Sequence, residues 1–141
     1  MAYETLRVEH QGGVSTIVLA RPPVNAVTLQ LLQELLAALD ELDARHETRC
    51  IVLRGDGTKA FCAGADLKAT HSVGSGSQFR DLGRAAVDRL EGIGKPVIAA
   101  LRGWCIGGGF AIGMACDVRL ASSTTRFRTG DAYLGVVPSW G

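Results

Sequence analysis

Residues 95–121, KPVIAALRGWCIGGGFAIGMACDVRLA, contain two short apolar runs on either side of a glycine triplet and a helical segment. Val97–Leu101 and Val118–Ala121 have the length and composition of buried strands near the centre of a sheet, and Phe110–Cys116 is apolar at helical density. A strand, a helix and a second strand form the unit from which parallel sheets are built. The segment therefore predicts an α/β fold with parallel strands.

The segments before this unit continue the alternation of strands and helices. Leu6–Glu9 and Val14–Leu19 flank a His-Gln-Gly-Gly turn, which predicts a β-hairpin. Leucines recur at helical spacing from Thr28 to Ala44, which predicts an amphipathic helix with Thr28 as its N-cap. Cys50–Leu53 is predicted to be a buried strand.

Three further segments and the end of the chain complete the predicted order ββαβαβαβ. Residues 55–66 are rich in glycine and alanine and are predicted to be a loop, and residues 70–78 a mobile Gly-Ser segment. We expect a helix from Phe79 to Ile93 and a strand from Arg126 to Thr129. Residues 135–141 are predicted to be a loop, with more chain following in the full protein.

The composition argues against several classes of function. The net charge is +1 and aromatic residues make up 6% of the 141 residues, so neither a basic nor a base-stacking surface for nucleic acid is expected. A polar start and the lack of a long apolar run predict a cytoplasmic protein with no membrane partner. The sequence contains no CxxC pair and no carboxylate–histidine cluster, so no metal site is expected. The cysteines are therefore expected to be reduced and mostly buried.

Two segments of small residues follow buried strands and are the candidates for chemistry, FCAGADLK at 61–68 and GWCIGGG at 103–109. Small side chains let a ligand approach backbone N–H groups, and the second segment leads into a helix whose N-terminus favours negative charge. Two convergent N–H groups of this kind would form an oxyanion hole. The alternative is that the glycines only allow a helix and a strand to pack closely.

Nucleotide-binding motifs do not fit these glycines. Gly107, Gly109 and Gly113 form GxGxxxG, whereas a dinucleotide fingerprint needs a glycine at position 112, which is Ile112. No GK[ST] follows any of the glycines, so a P-loop is absent from the sequence.

Three motifs in a fixed order resemble the crotonase (enoyl-CoA hydratase/isomerase) family: residues 61–68, residues 95–109, and MACDVRLASSTTRFRTGDAYLGVVPSWG at 114–141. The hairpin and RPPVNAV at 21–27 are similar to that family's opening, so the resemblance covers essentially the whole chain. It implies a crotonase-like spiral of ββα units (the ClpP/crotonase fold). Residues 1–141 would be the N-terminal portion of a core domain that lacks its C-terminal helical part.

The resemblance implies an acyl-CoA enzyme of the enoyl-CoA hydratase/isomerase type, a lyase or isomerase of fatty acid metabolism. The N–H groups of Ala65 and Gly108 would bind the thioester oxygen and stabilise an enolate. No cofactor is implied, because coenzyme A is part of the substrate, and no metal. The full-length form would be a homo-oligomer, either a trimer or a dimer of trimers.

The resemblance also implies which residues contact the substrate. They are Val24, Lys59, Ala63, Gly64, Ala65, Asp66, Lys68, Trp104, Gly107, Gly108 and Trp140. Lys59 and Lys68 would lie near the coenzyme A phosphates, and backbone around Val24 and Ala63 would hold the adenine. Structural alternatives stay open: a solvated surface for the lysines, a helix cap for Asp66, and core packing for the tryptophans.

Two positions depart from the family's pattern. Its hydratases use two glutamates to position water and move protons, and the first of these positions is Ala111, which can do neither. The second is Asp131, one methylene shorter than glutamate, and a shift of about 1 Å can cost on the order of 100-fold in rate. Asp131 is the candidate acid–base, or a surface turn residue. Hydration, one-carboxylate isomerisation, and a non-catalytic acyl-CoA-binding protein or inactive fragment all stay open.

Overall fold

Strands and helices alternate along the chain in this computed structural model, which describes residues 2–70 and 75–140. In chain order the elements are β1 (Leu6–Gln11), β2 (Val14–Leu19), α1 (Leu29–Ala44), β3 (Cys50–Gly55), β4 (Ala60–Cys62), α2 (Leu67–Thr70), α3 (Ser75–Gly92), β5 (Val97–Leu101), β6 (Trp104–Ile106), α4 (Gly108–Ala115), β7 (Val118–Ala121), β8 (Arg126–Arg128) and a 3₁₀ helix (Gly130–Leu134). No helix within these ranges has the length and apolar character that crossing a membrane requires.

The strands form two sheets. The larger has five strands in the order β1-β2-β3-β5-β7, with an antiparallel β1–β2 hairpin and parallel pairing elsewhere. The smaller has the order β4-β6-β8 and is parallel throughout. The chain crosses from the larger sheet to the smaller one after β3, β5 and β7. It therefore winds through ββα units, as the sequence predicts.

Helix α1 begins at the predicted position because Thr28 caps it. The Thr28 Oγ1 accepts a hydrogen bond from the Leu31 N–H at 3.2 Å, which satisfies one amide of the first turn. The apolar stripe of the helix is fully buried in the core between the larger sheet and α3: Leu31, Leu32, Leu35, Ala38 and Leu39. Burying a leucine stabilises the fold by about 1.5–3 kcal/mol, so this stripe anchors α1.

Several local predictions are wrong. Residues 60–62 fall in a predicted loop and residues 104–106 in a segment with no predicted strand, yet they form β4 and β6. Strands of three residues are too short to show a periodicity. Residues 75–78, predicted to be mobile, begin α3, while residues 71–74 lie outside the described residues. β7, predicted to be central, is at the edge of the larger sheet as described, and all of its residues are exposed.

The cysteines match the prediction of reduced, mostly buried thiols. All four are free, and only Cys50 is partly exposed. Burial raises the pKa of the Cys62, Cys105 and Cys116 thiols to about 12. These side chains therefore serve as small apolar groups of the core at neutral pH.

Candidate functional site

A buried asparagine holds the strand that leads into the first small-residue segment. Asn25 is 1% exposed and has a φ of 53°, a conformation that asparagine tolerates better than most residues. Its Nδ2 donates to the carbonyls of Ala60 at 3.1 Å and Phe61 at 3.3 Å, and its Oδ1 accepts from the Arg21 N–H at 3.0 Å. These contacts attach β4 to the loop that precedes α1.

The peptide that carries Ala65 is fixed by a short parallel bridge. The Val27 N–H donates to the Gly64 carbonyl at 2.7 Å, and the Asp66 N–H donates to the Val27 carbonyl at 2.8 Å. Ala65 lies between these two bonds, and its own N–H donates to no described residue. The bridge therefore holds this amide in place without using it.

Asp66 caps α2, which is the structural alternative left open for it in the sequence. Its Oδ1 accepts from the N–H groups of Lys68 at 3.1 Å and Ala69 at 3.3 Å, and its Oδ2 pairs with the Arg21 Nη2 at 2.7 Å. The hydrogen bond from the Arg21 guanidinium is the main cause that lowers the pKa of Asp66 below its usual value. Asp66 therefore stays ionised at neutral pH.

The second small-residue segment joins β6 to α4 and lies against the first. Gly107 has a φ of 54°, in the region that favours glycine, and its N–H donates to the Arg128 carbonyl at 2.9 Å. Gly108 begins α4, so its N–H has no partner within the helix, and it donates to no other described residue. A Cβ added at Gly64 would lie 3.5 Å from the Gly108 nitrogen. The two segments are therefore in direct contact.

Both segments border one cavity of about 400 Å³. Its described lining is Ala63, Gly64, Ala65, Leu67, Gly76, Phe79, Arg80, Ile106, Gly107, Gly108, Ala111, Arg128, Gly130, Asp131, Tyr133, Leu134, Pro138, Ser139 and Trp140. Asp131 is the only carboxylate among these described residues. A Cβ added at Gly107 would lie 3.9 Å from the Asp131 Oδ2, so this carboxylate is close to the first residue of the glycine triplet.

The cavity brings together most, but not all, of the predicted residues. Ala63, Gly64, Ala65, Gly107, Gly108, Asp131 and Trp140 line it, whereas Val24, Lys59, Asp66, Lys68 and Trp104 do not. Trp104 is the first residue of β6, and the cavity adjoins the last residue of that strand, Ile106. The Trp104 N–H donates to the Lys59 carbonyl at 3.1 Å. Trp104 therefore does not line the cavity, and its contact with the substrate stays a prediction.

Trp140 belongs to the core and also lines the cavity, while its contact with the substrate stays a prediction. Its side chain is 6% exposed. Its ring centroid lies 5.3 Å from that of Phe79, in a tilted arrangement. Aromatic pairs of this geometry add roughly 0.5–1.5 kcal/mol beyond their area burial, so Trp140 is a firmly held wall of the cavity.

A match to a known family accounts for this arrangement of motifs. The model of the family described as enoyl-CoA hydratase/isomerase matches residues 9–141. The chain belongs to the enoyl-CoA hydratase/isomerase family. The resemblance of its three motifs to that family is thereby confirmed.

Named relatives and solved structures of the enoyl-CoA hydratase/isomerase family match almost the whole chain. It is 36% identical to the short-chain-enoyl-CoA hydratase of Clostridium acetobutylicum and 31% identical to the crotonyl-CoA hydratase of Syntrophomonas wolfei, each over 144 positions. Both alignments cover 100% of this chain and 55% of the relative. The solved structure of enoyl-CoA hydratase from Bacillus anthracis superimposes with a TM-score of 0.92 at 33% identity, covering 98% of this chain and 55% of that one. The predicted crotonase-type fold is confirmed, and the chain spans about half the length of these relatives.

Several cavity residues of this enoyl-CoA hydratase/isomerase family member are absent from the sequence prediction. The guanidinium carbon of Arg128 lies 4.7 Å from the ring centroid of Tyr133, and Arg80 joins the lining from α3. Arg128 is only three residues before Asp131 in the same motif, which is the one signal that could have indicated it. Arg80 lies in a helix distant in sequence from both glycine segments, so no local pattern points to it.

Proposed function

We propose that the protein is an acyl-CoA enzyme of the hydratase/isomerase type, which stabilises a thioester enolate with backbone amides and moves protons with one carboxylate. The observation that carries this proposal is the shared cavity. Ala65 and Gly108, whose N–H groups donate to no described residue, line this cavity together with Asp131.

The amides of Ala65 and Gly108 are proposed to hold the thioester oxygen. Converging N–H groups stabilise an oxygen that gains negative charge as an enolate forms, and each such donor is worth about 2.7–4 kcal/mol in the transition state. The start of α4 adds the positive end of a helix dipole at Gly108. The bridge between Val27 and the Ala65 segment supports the proposal because it prevents the first amide from turning away.

Asp131 is proposed to be the acid–base. In a 3-enoyl thioester its carboxylate would take a proton from C2, and the electrons of the broken C–H bond would delocalise onto the thioester oxygen. Return of that proton to C4 would move the double bond to C2–C3, so the overall reaction is a proton shift with no oxidation or reduction. General acid–base catalysis of this kind contributes about 100- to 10,000-fold to the rate.

Ala111 favours this isomerisation over hydration. Hydration adds the oxygen of water to C3 and a proton to C2, and the family's hydratases use two carboxylates for it. Ala111 lines the cavity at the position of the first one, and its methyl group can neither bind water nor transfer a proton. Hydration by Asp131 alone requires the same carboxyl group to take a proton from water and deliver it to C2.

The residues that contact the coenzyme A part of the substrate are also proposed. Lys59 and Lys68 would lie near the phosphates of coenzyme A, and backbone near Val24 and Ala63 would hold the adenine. The two lysines and Val24 do not line the cavity, so their contacts with coenzyme A would be made outside it. No cofactor beyond coenzyme A, carried by the substrate, is proposed. A trimer or a dimer of trimers is the proposed assembly of the full-length protein.

The test is calorimetric titration with crotonyl-CoA, with the absorbance of the conjugated enoyl thioester followed in parallel. Binding with loss of this absorbance would indicate hydration. A gain of the absorbance from a 3-enoyl-CoA would indicate isomerisation. Absence of acyl-CoA binding would overturn the proposal, and binding without turnover of either substrate would overturn its catalytic part.

The role of Asp131 is tested by Asp131→Asn. We expect this variant to lose turnover by at least about 100-fold while it still binds the thioester, because the amide keeps the shape of the carboxylate but cannot act as a base. Asp88→Asn is the matched control, since Asp88 is an exposed residue of α3 outside the cavity. Equal activity of Asp131→Asn and the control would exclude the acid–base role.

A further inference from the structure

Arg128 lines the cavity but has no part in the proposed proton transfer. Its guanidinium forms no ion pair with any residue in the described ranges. Its guanidinium carbon lies 4.7 Å from the ring centroid of Tyr133, a contact that orients the planar group without neutralising it. The guanidinium therefore keeps its hydrogen-bonding capacity for a group that enters the cavity.

Two contacts at Gly107 place the backbone of Arg128 and the carboxylate of Asp131 next to the same glycine. The Gly107 N–H donates to the Arg128 carbonyl at 2.9 Å, and a Cβ at Gly107 would lie 3.9 Å from the Asp131 Oδ2. The Arg128 guanidinium itself lies over the ring of Tyr133, which lines the same cavity as Asp131. The acyl carbons that exchange protons must face Asp131, whereas the sulfur leaves the carbonyl carbon in another direction. With a thioester held in this way, Arg128 would lie on its acyl side.

The charges around the cavity favour an anion at this end of the acyl group. Arg80 also lines the cavity, so its described residues present two guanidinium groups and one carboxylate. Arg80 pairs with Asp81 at 3.2 Å, but both side chains are more than half exposed and such pairs are weak. The wall also contains apolar side chains, Phe79, Ile106, Leu134 and Trp140. This combination suits a short apolar chain that ends in a negative charge.

From these contacts we propose that Arg128 binds a carboxylate at the distal end of the acyl group, so that the substrate class is the mono-CoA thioester of an unsaturated dicarboxylic acid. This inference rests on the proposed function. A planar guanidinium binds a carboxylate through two parallel hydrogen bonds, and charge-assisted bonds of this type are stronger than neutral ones. Asp131 would repel the same carboxylate, so Arg128 is needed to offset that repulsion.

The test compares glutaconyl-CoA with crotonyl-CoA, which share the C2–C3 double bond and differ by the terminal carboxylate. We expect the wild type to bind glutaconyl-CoA at least about 10-fold more tightly in calorimetric titrations. Arg128→Gln should bring the ratio of the two affinities close to one. Arg84→Gln, which removes an exposed arginine of α3 outside the cavity, should leave the ratio at its wild-type value.

The other outcomes separate the two proposals. Equal affinity of the wild type for both thioesters, or an unchanged ratio in Arg128→Gln, would overturn the carboxylate site while the proposed function stands. An equal loss of affinity for both thioesters in Arg128→Gln would mean that the guanidinium binds the phosphates of coenzyme A. Absence of binding for both thioesters would overturn the proposed function as well. Circular dichroism of each variant establishes that the fold is retained.

Discussion

The indole ring of Trp140 lies against Gly108, so closely that a Cβ at position 108 would come within 2.7 Å of Cη2 and nearer still to Cζ3. The ring is 6% exposed and packs on Phe79. Since Gly108 also begins α4, the aromatic wall of the cavity and the amide proposed to bind the thioester oxygen are in direct contact. Any side chain at this position must displace the tryptophan.

We therefore predict that Gly108→Ala destabilises the fold by about 1–3 kcal/mol, the usual range for overpacking a filled site. Urea unfolding measures this change in the free energy of unfolding. Gly92→Ala is the control, because a Cβ there would meet nothing within 4 Å. Equal stability of the Gly108 and Gly92 variants would contradict the prediction.

A second carboxylate in the cavity should introduce or increase hydration. Ala111→Glu would place a proton-transferring group at the position where the family's hydratases have one, on the same cavity as Asp131. We expect the rate of crotonyl-CoA hydration to rise at least about 10-fold, within the range for general acid–base catalysis. Loss of the enoyl absorbance measures the rate. Ala111→Gln has nearly the same size without the carboxylate, and an equal gain in that variant would refute the explanation.

Replacement of Asn25 should destabilise the fold more than any exposed polar substitution. Asn25→Ala removes the hydrogen bonds to Ala60 and Phe61 and leaves alanine at a φ of 53°. The buried carbonyls would lose their hydrogen-bond donor, and alanine tolerates the left-handed backbone poorly. Together these effects predict a loss of about 2–4 kcal/mol in the free energy of unfolding. Denaturant titration measures this loss. The control Gln78→Ala, at an exposed position of α3, should change it by less than about 0.5 kcal/mol.

Stability should fall as the pH is lowered below the ordinary pKa of an aspartate, because Arg21 lowers the pKa of Asp66 in the folded protein. A lowered folded-state pKa contributes stability above the unfolded value of about 3.9, and this contribution is lost as the pH falls toward the folded value. Urea unfolding from about pH 3 to pH 7 should show a smaller decrease for Asp66→Asn than for the wild type. Asp88→Asn serves as the control. Identical pH profiles for both variants would argue against a contribution of the Arg21–Asp66 pair to the pH dependence.

Local patterns were sufficient for the elements that have their own periodicity or caps. The hairpin of β1 and β2 followed from its turn, and the start of α1 followed from Thr28 and the leucine spacing. The three-residue strands β4 and β6 could not be predicted in this way, because neighbouring strands rather than their own residues define them. The motif order pointed to Ala65, Gly108 and Asp131, and these three residues line one cavity.

Contacts between distant segments depend on how the helices and sheets pack, and no local pattern contains them. Trp140 meets Gly108 and Phe79 across gaps of 32 and 61 residues in the sequence. Arg80 reaches the cavity from α3, while Trp104 lies at the far end of β6 and does not. Helix caps, turns and side-chain periodicity act over a few residues, so the sequence alone was enough for the longer elements and the family motifs. Which side chains share the cavity, and at what distance, followed only from the burial of apolar faces between those elements.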